Sequence, residues 1–153
     1  MEVVRPDGFV VTDDRARIDI PRVHRWLSEE SYWAAGSSLD VVTRSIQGSI
    51  SLGCFAPDGE QVGFTRLITD GAVFALISDV FVDSGYRGRG LGKFLVQSAV
   101  EHPEVRGVRR MLLATSDAHE LYRKFGFVGL SNPERWMEMR PSSTSASLES
   151  INT

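Results

Sequence analysis

Between residues 79 and 100 an apolar run changes first into a glycine-rich turn and then into a helical pattern. The turn consists of Arg87, Gly88, Arg89, Gly90, Leu91, Gly92 and Lys93. Glycines let a backbone turn sharply and let a ligand come close to it. Unpaired N–H groups and the dipole at a helix start favour an anion such as a pyrophosphate. The segment therefore predicts a strand, an anion-binding turn and a helix.

Two familiar phosphate-binding motifs do not match this turn. A P-loop places Ser or Thr after Gly-Lys, whereas Phe94 follows Lys93 here. The dinucleotide fingerprint has the spacing G-x-G-x-x-G and opens a βαβ unit, whereas this turn follows a predicted antiparallel meander. Both motifs are therefore excluded.

Hydrophobic periodicity and turn residues predict the order of elements along the chain. The predicted strands are 8–12 (an edge strand), 49–56, 61–69, 72–82, 109–115, 127–130 and 135–139, and the predicted helices are 21–35, 38–47, 90–102 and 117–125. Asp70-Gly71 is typical of a tight hairpin. A meander followed by alternating strands and helices indicates a mixed sheet with helices on its faces.

The turn and its flanking elements resemble the GNAT N-acetyltransferases, whose Arg/Gln-x-x-Gly-x-Gly/Ala signature binds the CoA pyrophosphate. Arg87 to Gly92 matches that signature, and the resemblance extends over residues 8–139. It implies an α+β (mixed α/β) fold with a central mixed, mostly antiparallel sheet and about four flanking helices. It implies acetyl-CoA as donor, bound by residues 87–93 and by the backbone of Val80, Phe81 and Val82, and no metal.

A second part of the resemblance lies around Tyr122, in a segment similar to the family's Leu-Tyr-x-x-x-Gly-Phe. The resemblance implies that Tyr122 protonates the departing CoA thiolate, which a phenolic O–H can do. Asp117 and Glu120 have the spacing of a capping box for its helix. Thr115 stands where many relatives have Asn, which weakens any contact carried over to the pantetheine arm.

The acceptor side is less defined by the sequence. Asp79 lies among apolar residues and is a candidate general base; the alternative is a structural role, in a pair with Arg66 or with backbone N–H groups. Glu30, Tyr32 and Trp33 could attract and hold an amine through charge and cation–π contact, or could simply pack and be solvated. The acceptor is expected to be a small-molecule or peptide amine.

Length, charge and composition limit the other functions. A chain of 153 residues suits one domain, expected over 1–140, and the Ser/Thr-rich stretch 141–153 predicts a disordered tail. A net charge of −3 without a long basic run gives nucleic-acid binding little support, and no apolar stretch predicts a membrane span. The single cysteine, Cys54, is expected to be a packing residue and suggests a reducing, cytoplasmic location.

The expected function is acetyl transfer from acetyl-CoA to a primary amine by direct attack. Two alternatives stay open: a CoA-binding sensor without catalysis, and an acyl-carrier or peptide-recognition scaffold. The sequence also leaves open whether the chain is a monomer or a homodimer.

Overall fold

The computed structural model describes residues 1–141, and within them one six-stranded sheet has the order β1-β2-β3-β4-β5-β6. The strands are β1 (Glu2–Val4), β2 (Val10–Thr12), β3 (Ile50–Phe55), β4 (Gln61–Thr69), β5 (Phe74–Val82) and β6 (Arg110–Leu112). All neighbours are antiparallel except β5 and β6, which are parallel. The predicted mixed, mostly antiparallel sheet is confirmed.

Four α-helices lie in this part of the chain: α1 (Ile20–Arg25), α2 (Leu39–Gln47), α3 (Leu91–Val100) and α4 (His119–Arg123). Ser38 caps α2, because its hydroxyl accepts a hydrogen bond from the Val41 N–H. Asp19 caps α1 in the same way through the Arg22 N–H. The α+β class and the four helices agree with the expected fold.

The predicted helix over 21–35 is too long. After α1 the chain forms a π-helical turn at Trp26–Glu30, and Ser31 is extended, with φ −94° and ψ 148°. The Ser31 hydroxyl donates to the Leu27 carbonyl, which closes the last turn. Tyr32 and Trp33 therefore lie outside the helix and are free to reach the sheet.

The two faces of the sheet are covered by different helices. Residues of α3, among them Phe94 and Leu95, pack on one face with Leu52 and Cys54 of β3. Residues of α1 and α2 pack on the other face, where Trp26 stacks on Phe81 of β5 with ring centroids 5.4 Å apart. Burial of these apolar side chains is the main term that holds the layers together.

Two predictions in the first half need correction. The strand at 8–12 is not at the edge, because β2 lies between β1 and β3 and the unpredicted β1 forms the edge. The hairpin at Asp70-Gly71 is a four-residue loop, 70–73, rather than a two-residue turn. There the Asp70 carboxylate accepts hydrogen bonds from the N–H groups of Ala72, Val73 and Phe74, which shape the loop.

The two predicted C-terminal strands, 127–130 and 135–139, are wrong. Their backbone groups bond locally: the Phe127 N–H donates to the Tyr122 carbonyl, and Pro133–Arg135 is a 3₁₀ turn. An isolated alternating pattern needs a neighbouring strand, and β6 has only three residues to offer.

The predicted tail falls on residues 142–153, which lie outside the described residues. Among residues 1–141, none of the helices has the length and apolar character that a bilayer crossing requires.

Candidate active site

A cleft opens where β5 and β6 separate. β6 pairs only with Phe74, Ala75 and Leu76 at the start of β5. From Ile77 to Val82 this side of β5 has no strand partner among residues 1–141, although the Val82 carbonyl accepts a hydrogen bond from the Arg87 Nε at 3.2 Å. A cavity of about 440 Å³ lies in the gap. The splayed strands thus create a site with strand backbone along one wall.

A bulge in β5 shapes this wall. Phe64 pairs with Phe81 but Arg66 pairs with Ser78, so Asp79 and Val80 together stand opposite a single residue of β4. Asp79 has φ +57°, which makes it the one non-glycine residue with a left-handed backbone in residues 1–141. A bulge leaves its extra residue outside the ladder and bends the strand. The bend lies at the cavity.

Both carboxylate oxygens of Asp79 have partners. The Arg66 Nε donates to Oδ2 at 2.5 Å, and the Trp33 Nε1 donates to Oδ1 at 2.9 Å. The Asp79 side chain is only 7% exposed and that of Arg66 16%. This is the structural pairing that the sequence left as the alternative to a base. The role of Asp79 as a base stays a prediction.

Two tyrosines line the cavity from opposite elements. Tyr122 of α4 is buried, and its burial, together with the nearby Tyr32 and Asp117, raises the pKa of the phenol. A raised pKa keeps the proton on Tyr122 at neutral pH. Tyr32 is exposed, and its hydroxyl accepts a hydrogen bond from the Ser116 N–H at 3.0 Å, which lowers the pKa of Tyr32.

The start of α4 differs from the predicted capping box. The Thr115 hydroxyl accepts from the N–H groups of Ala118 at 3.0 Å and Asp117 at 3.4 Å, whereas Glu120 pairs with Arg123. Asp117 therefore makes no cap, and its carboxylate is left at the cavity. Thr115, at the position where many relatives have Asn, therefore stabilises the turn that leads into α4.

The glycine-rich turn lies at the far end of β5. Gly88 and Gly90 have φ values of +77° and +74°, which explains the need for glycine at both. A Cβ at Gly88 would touch nothing within 4 Å, so the turn is open on that side. Arg87, Arg89 and Lys93 are exposed around it, while Leu91 is buried and starts α3.

The structure brings most of the predicted site residues into two groups, one beside the middle of β5 and one beyond its end. Tyr32, Trp33, Asp79, Val80 and Tyr122 line the cavity, and residues 87–93 form the turn. Phe81 and Val82 lie between the two groups, although the side chain of Phe81 is buried in the core. Glu30 is exposed and does not line the cavity.

Some site residues were missed. The Arg5 guanidinium, held by Asp7, donates to the Arg89 carbonyl at 3.0 Å and so braces the glycine-rich turn. Ser116 orients Tyr32 through its backbone. Both contacts join residues 84 positions apart, and no local pattern indicates them.

Other reactive groups lie away from this site. Burial raises the pKa of the Cys54 thiol to about 12, so it stays protonated in the core. Within residues 1–141, no cluster of three or more His, Cys, Asp or Glu side chains could hold a metal ion.

Several known proteins are similar to this chain in sequence and in fold. The family model for the acetyltransferase (GNAT) domain matches residues 51–129. A GNAT-family protein from Xanthomonas campestris, known as a crystal structure, is 41% identical, with a TM-score of 0.84 over 92% of this chain and 98% of that one. A candidate acetyltransferase of Gibberella zeae is 26% identical over 137 residues, 76% of each protein.

A third relative is an enzyme named after its substrate. The glucosamine 6-phosphate N-acetyltransferase of Trypanosoma brucei brucei is 35% identical over 81 residues, which are 48% of this chain and 55% of that enzyme. The family match spans the strands and helices that form the cleft and the glycine-rich turn. This chain is therefore an acetyltransferase of the GNAT family.

Proposed function

We propose that the protein transfers an acetyl group from acetyl-CoA to a primary amine without a covalent enzyme intermediate. One observation carries the proposal. The unpaired edge of β5 runs from a cavity with a buried, protonated tyrosine to an open glycine turn with three cations. This layout suits a thioester at one end and a pyrophosphate at the other.

The residues present fit acetyl-CoA as a substrate. Arg87, Arg89 and Lys93 supply positive charge at the turn, and the left-handed Gly90 starts α3 with its N–H groups free of helical partners. The backbone of β5 from Val80 to Val82 would bind the pantetheine arm as an added strand would.

The reaction requires that the two substrates be held in line and that one general acid protonate the leaving thiolate. The amine nitrogen forms a bond to the acetyl carbon while the carbon–sulfur bond of the thioester breaks. An N–H of β5 near the bulge at Val80 stabilises the developing oxyanion. Tyr122 gives its proton to the leaving thiolate, and the amine releases its proton to water. Holding both substrates in the cleft supplies the remaining acceleration.

Donor binding is tested by thermal unfolding with and without acetyl-CoA. At a hundred times its dissociation constant the ligand should stabilise the fold by about 2.7 kcal/mol. Gly90→Leu should abolish this shift. Gly107→Leu is the control, because Gly107 is also left-handed, with φ +86°, but lies away from the site. A Cβ would meet nothing within 4 Å at Gly107 and would make only an ordinary contact, 3.7 Å to the Arg5 guanidinium, at Gly90. Wild-type protein without any shift at millimolar acetyl-CoA would contradict the proposal.

Catalysis is tested with Tyr122→Phe, followed by release of the CoA thiol. The Tyr122 hydroxyl makes no hydrogen bond to residues 1–141, so the variant should fold as the wild type does. We expect kcat to fall about 10²-fold, the lower end for a general acid, while the acetyl-CoA shift is kept. A sensor without catalysis would bind acetyl-CoA and show no thiol release in either protein.

The same proposal includes a small-molecule or peptide amine as the acceptor, a cytoplasmic location, and a chain that acts as a monomer or a homodimer. A buried free thiol at Cys54 suits a reducing compartment.

A further inference from the structure

The acceptor end of the cavity has an unusual charge balance. Of its lining residues, all within the described chain, none is Lys, Arg or His, and the charged ones are Asp79 and Asp117. Asp79 is neutralised by Arg66. Asp117 is exposed and forms no ion pair with residues 1–141. The cavity therefore presents one unbalanced negative charge.

This balance selects against anionic acceptors. A carboxylate or phosphate beside the reacting amine would lose hydration and would find no cation in the cavity. Arg66, which contacts the cavity residue Asp79 at 2.5 Å, is 16% exposed and already paired with that carboxylate. An ammonium group, by contrast, would meet Asp117 and two aromatic rings.

Trp33 and Tyr32 are held by their polar atoms, which leaves their rings to contact a ligand. The Trp33 Nε1 is held by Asp79, and the Tyr32 hydroxyl by the Ser116 N–H. The two rings meet edge to face, with centroids 5.0 Å apart, yet Tyr32 is 58% and Trp33 44% exposed. Fixed, exposed aromatic surface in a cavity favours an apolar or aromatic ligand.

The remaining wall is also mostly apolar. Most of its area comes from aliphatic side chains, among them Leu76, Ala114 and Ala118. The hydroxyl side chains that also line it are Ser78, Thr115 and Ser116, and that of Thr115 already accepts hydrogen bonds from backbone N–H groups. A cavity of about 440 Å³ that also receives the acetyl end of the donor leaves room for a small body only.

We propose that the acceptor is a small primary monoamine with an aromatic or apolar body and no anionic group. This inference rests on the proposed function and narrows its substrate class. The amine enters as the ammonium ion beside Asp117. It first loses one proton to water, and the free amine then forms the amide C–N bond as the thioester C–S bond breaks. Tyr122 gives its proton to the CoA thiolate and recovers one from the second proton that the nitrogen releases.

The test compares initial rates of CoA thiol release with matched amines. 2-Phenylethylamine and L-phenylalanine have the same body and differ by a carboxylate, so we expect kcat/KM to be at least about tenfold lower for phenylalanine. n-Propylamine keeps the amine without the ring, and it should also be about tenfold poorer. Glucosamine 6-phosphate and spermidine complete the panel and should be poor acceptors.

Two tryptophans provide a matched pair of variants. Trp33→Ala should raise KM for 2-phenylethylamine by about tenfold or more and keep the thermal shift with acetyl-CoA. Trp136 is equally exposed, at 42%, but lines a different surface, so Trp136→Ala should change neither quantity. Asp117→Asn should raise KM for the amine without changing the shift.

The outcomes separate the two proposals. If phenylalanine or glucosamine 6-phosphate is acetylated as well as 2-phenylethylamine, the substrate inference is overturned and the acetyltransferase function stands. Donor binding without acetylation of either apolar monoamine overturns the inference as well. Loss of both donor binding and thiol release with every amine would instead overturn the proposed function.

Discussion

Removing Arg66 should destabilise the fold well beyond what a surface ion pair would cost. The Asp79 carboxylate is 7% exposed, and in Arg66→Met it would keep only the hydrogen bond from Trp33. Breaking a fully buried pair costs about 3–5 kcal/mol, because one charge stays buried and uncompensated. Since Arg66 is 16% exposed and water can reach part of the site, we expect about 2–3 kcal/mol here.

The double variant Arg66→Met/Asp79→Asn identifies the cause. It removes both charges and keeps an acceptor for Trp33, so it should recover most of the lost stability. A double-mutant cycle from urea unfolding should then give a coupling energy of about 2 kcal/mol with unchanged m values.

An exposed pair provides the control. Arg44 and Asp40 are 68% and 76% exposed on α2, and Arg44→Met should cost about 0.5 kcal/mol or less. A coupling energy for Arg66 and Asp79 as small as this would refute the reasoning. The carboxylate would then be solvated and free, and its assignment as a base would gain support over its role in positioning Trp33.

Two further predictions concern groups outside the cleft. Hydrogen bonds from the N–H groups of Ala72, Phe74 and Val73 lower the pKa of Asp70 to about 2. A carboxyl group whose pKa is lower in the folded than in the unfolded state stabilises the fold at pH values above its unfolded-state pKa. The difference in Tm between wild type and Asp70→Asn should therefore be constant above about pH 5 and should shrink as the pH falls from about 4 to about 2. A constant difference down to pH 2 would contradict this. Because burial raises the pKa of Cys54 to about 12, the native thiol should resist iodoacetamide at pH 8 but react once unfolded in urea; rapid native labelling would be the contrary result.

Local patterns were sufficient wherever one element carried its own signal. β4 was predicted at 61–69 and lies there, because its side chains alternate between two buried faces and turn residues bound it. The helix predicted over 38–47 matches α2, and its N-cap, Ser38, is itself a local feature that acts within three residues. The glycine-rich turn is likewise local: its conformation depends on the glycines themselves.

The sequence was insufficient where a partner lies far along the chain. The alternation at 135–139 resembles a strand, but a strand forms only where a neighbour offers free backbone groups. The brace from Arg5 to Arg89 and the bond from Ser116 to Tyr32 have no local signature either. Asp79 was recognised as unusual from its apolar surroundings, whereas the bulge that places it depends on the register between β4 and β5.

That bulge connects the core to the site. Before it, Ala75 and Ile77 face the α3 side of the sheet; after it, Val80 and Val82 face that side and Phe81 faces Trp26. One extra residue reverses the alternation, so the same strand can complete both cores and still present Asp79 at the cleft.

A glycine at position 79 would relieve the left-handed strain, which costs on the order of 1–2 kcal/mol for a residue with a Cβ. It would also lose the ion pair with Arg66 and the bond that fixes Trp33. An aspartate tolerates this conformation better than most residues, because its short side chain bonds locally. The presence of Asp79 at this strained position is therefore best explained by what its carboxylate holds in place at the cavity, namely Arg66 and the Trp33 indole.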